Sequence, residues 1–219
     1  MNDWVDALRQ QSRRVRVGGA LFRSGDAFTS LYAVYAGLFK TEAGDGAGRE
    51  QVTGFFMPGE LLGLEGLAAA RHEVTAVALE DSSVAVIPYA EASSLQRELH
   101  AALAMQIVRE HEMMLLLGSM RAEQRLAAFL CDLSSRLRQR GYSGSEFLVR
   151  MTREDIGSYL GMTLETVSRL FSRFRAQGVL EVRQRQVRLL DLEGLRRLAA
   201  RDCAAAWRTS PPGRPRGPR

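Results

Sequence analysis

Pro88 divides this chain into two kinds of sequence, and that division constrains the fold more than any other feature. Before it, short runs at 14–17, 20–22, 30–40, 51–56, 74–79 and 83–87 are punctuated by Gly18-Gly19, Ser24-Gly25-Asp26, Gly44-Asp45-Gly46 and Pro58-Gly59. Strands of that length, closed by such turns, predict an antiparallel barrel or roll. After Pro88 the pattern becomes helical. Residues 101–121 carry few helix breakers, a second run places Leu126, Phe129, Leu130, Leu133 and Leu137 on one face, and Gly141-Tyr142-Ser143-Gly144 ends it. The expected class is α+β: a roll over 1–98, two helices over 99–140, a small domain over 141–203, and a Pro- and Arg-rich tail over 204–219 whose composition predicts disorder.

Composition narrows the class further. Hydrophobic residues at 46% and charged residues at 25% fit a globular chain. No stretch approaches ~18 consecutive apolar residues, so no membrane partner is expected. Met1 to Asp6 opens with acids where a signal peptide needs basic residues, and the expected location is the cytoplasm. Cys131 and Cys203 are the only cysteines and stand far apart, leaving neither a disulfide framework nor a CxxC knuckle, so no metal site is expected. Charge is uneven: residues 1–140 hold 15 basic and 17 acidic side chains, a balance of −2, whereas 141–219 hold 15 and 8, a balance of +7. A basic module suits a polyanion such as nucleic acid, though a solvated surface would look the same. Lys40, the sole lysine beside 29 arginines, reads as codon bias.

The chemistry concentrates after residue 150. Thr152 can cap a helix over 153–160, Gly161-Met162 makes a tight turn, and Thr163 can cap a second helix over 164–177 that Gly178 ends. Residues 179–182 and 186–190 alternate like a small hairpin with Arg183-Gln184-Arg185 at its tip, and 192–201 reads as a last helix. In a helix-turn-helix the second helix enters the major groove and its first residues meet base edges. The DNA-binding candidates are Thr163, Glu165, Thr166, Ser168, Arg169 and Arg173, with Arg183 and Arg185 placed for phosphates. Glu165 and Arg169 are four apart on one face; a guanidinium pairs bidentately with guanine, and a carboxylate accepts from cytosine N4. The plainer alternative is a surface ion pair worth about 0.3–0.5 kcal/mol. Upstream, Leu103, Ile107, Glu110, Met114 and Leu117 keep the 4-3-4-3 spacing of a helical seam, which serves either a second copy of the chain or the chain's own roll.

The run Asp155-Ile156-Gly157-Ser158-Tyr159-Leu160-Gly161-Met162-Thr163-Leu164-Glu165-Thr166-Val167-Ser168-Arg169 strongly resembles the winged helix-turn-helix of the CRP/FNR family of bacterial transcription regulators. Further matching segments are Leu21-Phe22-Arg23-Ser24-Gly25-Asp26, Pro58-Gly59-Glu60-Leu61 and Ala122-Glu123-Gln124-Arg125-Leu126. The resemblance implies a cyclic-nucleotide-binding-type β-roll, a long dimerisation helix, and a homodimer that binds double-stranded DNA and touches RNA polymerase. Glu165, Ser168 and Arg169 match the reading set of the FNR branch, which implies a palindrome like TTGAT-N4-ATCAA. FNR-type regulators also carry an acidic residue at the point of the dimer helix that Glu110 matches, where it keeps the dimer weak until a signal arrives.

Departures from the family pattern bear on the signal. FNR-type sensors hold an iron-sulfur cluster with three cysteines in an N-terminal extension and one in the roll; the extension is missing, and the internal position looks like Ala85, so no cluster is expected. The cyclic-AMP branch clamps phosphate with Arg-Ser, where this chain has His72-Glu73, and that carboxylate weighs against cyclic AMP. Gly59, Glu60, Leu61, Arg71 and His72 form the expected effector pocket, and haem stays open because His72, His100 and His111 are present. Cys131 reads as a small core residue. Two rivals are a cupin-like metal-dependent roll and a ligand-binding module without DNA activity. The first needs clustered His and Glu, which 14–88 lacks; the second leaves 147–190 unexplained. No catalytic constellation is present, so no enzyme is expected.

Overall fold

The computed structural model describes residues 12–44, 48, 50–90 and 95–200. The acidic start, Cys203 and the 204–219 tail lie outside the described residues. Among the described residues, contacts form two compact units, one within 12–112 and 148–168, the other within 113–147 and 169–200.

The roll consists of two four-stranded antiparallel sheets. One has the order β1 (Ser12–Val15), β8 (Ser82–Pro88), β3 (Ser30–Ala36), β6 (Leu61–Leu62); the other has β2 (Ala20–Phe22), β7 (Thr75–Ala78), β4 (Phe39–Gly44), β5 (Glu50–Phe56). Side chains alternate faces along a strand, and β3 shows what the alternation does here. Tyr32 and Val34 join one core cluster with Phe22, Phe39, Phe56 and Val84, while Leu31 and Ala33 join another with Leu61, Leu64, Ala85 and Ile87. Leu95, Leu99, Ala102 and Leu103 cover that second cluster. Both faces of β3 are therefore buried, which is why 31–34 reads as an unbroken apolar run.

The expected single strand over 30–40 is in fact two, divided at Gly37, because β3 belongs to one sheet and β4 to the other. Three elements escaped the sequence reading, namely β6, the four-residue helix α1 (Gly66–Ala69) and β9 (Glu146–Leu148). Each is too short, at two, four and three residues, to repeat a pattern that could reveal it.

The helical half contains α2 (Gln96–Ser119), α3 (Ala122–Gln139), α4 (Arg153–Leu160), α5 (Leu164–Ala176) and α6 (Leu192–Ala200), with β10 (Leu180–Arg183) and β11 (Gln186–Leu189) forming a hairpin in a sheet ordered β10-β11-β9. The face of α3 buries Leu126, Phe129, Leu130 and Leu133, and α6 packs on this helix. Among the described residues, no helix is long and apolar enough to cross a membrane.

Candidate nucleic-acid interface

Local chemistry builds the two helices of the helix-turn-helix. At the start of α4, the Thr152 hydroxyl accepts from the Asp155 amide at 3.0 Å, and Asp155 Oδ2 accepts from the Thr152 amide at 2.8 Å. This reciprocal cap satisfies two otherwise orphaned donors. Gly161 ends α4 at φ +61, a left-handed conformation that side chains other than glycine resist, and the Met162 amide returns to the Gly157 carbonyl at 2.8 Å. Gly157 allows that close return, since a Cβ there would lie 2.6 Å from the Met162 oxygen. Thr163 then caps α5 by accepting from the Thr166 amide at 3.2 Å. Thr152→Ala should destabilise the fold by about 0.5–2 kcal/mol, the usual cost of losing such a cap, read from the shift of the urea midpoint.

Helix α5 separates its faces cleanly. Val167, Leu170, Phe171 and Phe174 are buried. Thr163, Glu165, Arg169 and Arg173 are exposed, with Thr166 and Ser168 half-buried beside them. Arg173 is engaged within the chain, its guanidinium 3.3 Å from Glu123 Oε2, with Arg173 exposed and Glu123 half-buried. The hairpin turns at Gln184, φ +55, between the exposed Arg183 and Arg185. Arg188 is a further exposed cation on β11, between buried Val187 and Leu189. The sequence reading stopped at the hairpin tip and missed it, although the strict alternation around it is a legible signal.

On α2 the seam residues divide. Leu103 lies against the chain's own roll core, whereas Ile107, Glu110, Met114 and Leu117 are exposed. Met105, Val108 and Leu115 add to the exposed apolar surface. Glu110 accepts from Gln106 Nε2 at 3.1 Å.

Of the expected effector residues, Glu60 and His72 each have side-chain partners of their own. Glu60 accepts from the Met57 amide at 3.0 Å, closing the Pro58-Gly59 turn, and takes Arg109 of α2 on its other oxygen at 2.8 Å. Gly59 holds that turn at φ +88, Leu61 is in the roll core, and Arg71 is exposed. His72 is buried, stacked on Phe22 with ring centroids 3.7 Å apart, and its Nδ1 lies 3.0 Å from Glu65 Oε1. His100 and His111 are exposed on α2. Burial pushes the half-buried Cys131 thiol up, which suits packing rather than redox chemistry. Among the described residues, no group of three His, Cys, Asp or Glu could hold a metal ion.

Comparison with known proteins agrees with this arrangement. Residues 124–198 match the Crp-like helix-turn-helix domain family and residues 12–98 the cyclic nucleotide-binding domain family. The chain is 46% identical over 205 residues to the transcriptional regulatory protein btr of Bordetella pertussis, covering 90% of this chain and 85% of that one. It is 41% identical over 204 residues to the transcriptional activator protein FnrA of Stutzerimonas stutzeri, covering 90% and 84%. The structure of FixK2 from Bradyrhizobium japonicum superposes with a TM-score of 0.78 at 30% identity, covering 85% of this chain and 96% of that one.

Proposed function

The chain belongs to the CRP/FNR family of DNA-binding transcription regulators, and from that premise we propose that it acts as a homodimer on a TTGAT-N4-ATCAA-like palindrome under control of a signal at the β-roll. The observation that carries this reading is the Thr163-capped α5, which offers exposed Glu165 and Arg169 four residues apart while Val167, Leu170, Phe171 and Phe174 are buried. That is the geometry for reading a G·C pair from the major groove. The exposed apolar residues of α2 supply a surface for the second copy. RNA polymerase is the further partner that family membership suggests for the bound dimer.

As for the signal, two features weigh against a cyclic nucleotide: Glu60 is held by Arg109, and Glu73 stands where the resemblance to the cyclic-AMP branch puts part of its phosphate clamp. A haem at His72 would need space beside a ring that is buried and stacked on Phe22. The sequence has two cysteines, neither in the roll, and Ala85 is buried in the core, which supports a regulator without an iron-sulfur cluster. Operator affinity is therefore expected to change less than about tenfold, or about 1.4 kcal/mol, with millimolar cyclic AMP or on exposure to air. Anisotropy titrations with and without each addition check this.

The function itself is tested by titrating the protein into labelled duplexes carrying the palindrome or a scrambled sequence at several salt concentrations. A preference of about 10³ or more for the palindrome supports the reading. Equal affinity for both duplexes refutes it.

A further inference from the structure

Lys40 is the one lysine among 30 lysine and arginine side chains, and the structure gives it a role that composition alone does not suggest. It lies on β4 with 16% of its side chain exposed, its ammonium 2.7 Å from Asp155 Oδ1 and 2.5 Å from Glu42 Oε1. Asp155 divides its duties between its two oxygens. Oδ2 accepts from the Thr152 amide and hydroxyl, both at 2.8 Å, and so closes the start of α4. Oδ1 takes Lys40, a residue 115 positions away.

The same face of α4 repeats the contact one turn on. Ser158 Oγ accepts from the Val52 amide at 2.8 Å, and the Tyr159 ring meets Phe55 at 5.0 Å and 63°. Val52 and Phe55 lie on β5, the last strand of its sheet, so Ser158 also satisfies a donor that a sheet edge would otherwise leave open. Residues 155, 158 and 159 follow the i, i+3, i+4 spacing that puts side chains on one helical face. All these residues fall within the first compact unit.

Burial opposes both charges, yet both survive. Bonds from Lys40 and Thr152 outweigh desolvation and hold the Asp155 carboxyl below its ordinary value. Desolvation of Lys40 is likewise outweighed by Asp155 and Glu42, which hold the ammonium above its ordinary value. Two carboxylates converging on one nitrogen suit a compact ammonium with three rotatable donors; the planar fork of arginine spreads its donors over a wider arc. That explains a lysine here in a chain that otherwise uses arginine.

We propose that the Glu42–Lys40–Asp155 link positions the DNA reader. It fixes α4, and the first turn of α5 that follows it, to the β4–β5 strands, so that the two readers of a dimer match the separation of two half-sites. Lys40 touches no DNA in this role and acts through Asp155. The inference rests on the dimeric reading proposed above.

The test compares full-length wild type, Lys40→Met and Ser158→Ala on the complete palindrome and on a duplex with one half-site. Lys40→Met leaves the Oδ2 cap of α4 intact, and Ser158→Ala loosens the same contact without stranding a charge. Lys40→Met is expected to lose about tenfold or more on the palindrome, the scale of effective concentration forfeited when a second site is misplaced, with half-site affinity changed less than about twofold. Ser158→Ala should show a smaller loss of the same kind, and Lys40→Arg should recover only part of the affinity. Unchanged or increased palindrome affinity in both variants overturns the proposal, as does an equal loss on both duplexes. If wild type itself shows no preference for the palindrome over the half-site, the dimeric reading has failed and the inference falls with it.

Discussion

Arg169→Ala is expected to remove about 1–3 kcal/mol per half-site, and hence about 2–6 kcal/mol over a palindrome, by deleting the bidentate contact to guanine. Because Arg169 is exposed, the variant should fold normally, and its urea midpoint should match wild type within experimental error. Anisotropy on duplexes differing only at the G·C pair should show that wild type distinguishes them and Arg169→Ala does not. Binding to scrambled DNA should change little. The hairpin cations should behave differently: Arg183→Ala or Arg185→Ala weakens every sequence alike and lowers the salt slope by about one phosphate contact each. An equal loss by Arg169→Ala on operator and scrambled DNA would place Arg169 among the phosphate contacts and remove the basis for a guanine in the site.

The two helices of the helix-turn-helix were legible in the sequence because short-range chemistry specifies them. Thr152, Gly161 and Thr163 set the ends of α4 and α5 through bonds that span three to five residues, and hydroxyl, left-handed glycine and apolar spacing all announce themselves within one window. The roll was legible as strands but not as sheets. Nothing local in 30–40 distinguishes one long strand from two strands in different sheets; that choice is made by partners such as Val86 opposite Tyr32 and Phe56 opposite Phe39. Lys40 was illegible for the same reason, since its function depends on an aspartate 115 residues away. His72 could be grouped with the effector residues by its place in the chain, yet its ring is held by Phe22, a contact across 50 positions that no spacing encodes. The seam on α2 shows the intermediate case. The 4-3-4-3 pattern names a face, but the roll claims Leu103 at one end of it and leaves Ile107, Met114 and Leu117 uncovered.

Those uncovered residues make Glu110 the position where the strength of a dimer can be set. In a two-fold seam through Ile107, Met114 and Leu117, two copies of Glu110 approach each other across the axis, where like charges repel. The cation nearest in sequence, Arg109, is engaged with Glu60 of its own chain, which leaves Gln106 as the neighbour that Glu110 meets in the structure. An amide offers a hydrogen bond but no charge, so it does not offset the repulsion. Glu110→Leu should consequently tighten dimerisation by about 1–3 kcal/mol, a factor of roughly 5 to 150, and raise operator affinity with no added signal. Leu103→Ala serves as the contrast: it should lower the stability of the roll, because Leu103 packs on the second core cluster, while leaving the dimerisation constant nearly unchanged. Sedimentation equilibrium of the three proteins over a range of concentrations measures the association constants, and the urea midpoint of Leu103→Ala measures its loss of stability. A Glu110→Leu dimer no tighter than wild type would mean that the carboxylate is satisfied in the native interface or that the two chains meet elsewhere; a large effect of Leu103→Ala on association would put the interface on the face of α2 that the roll covers.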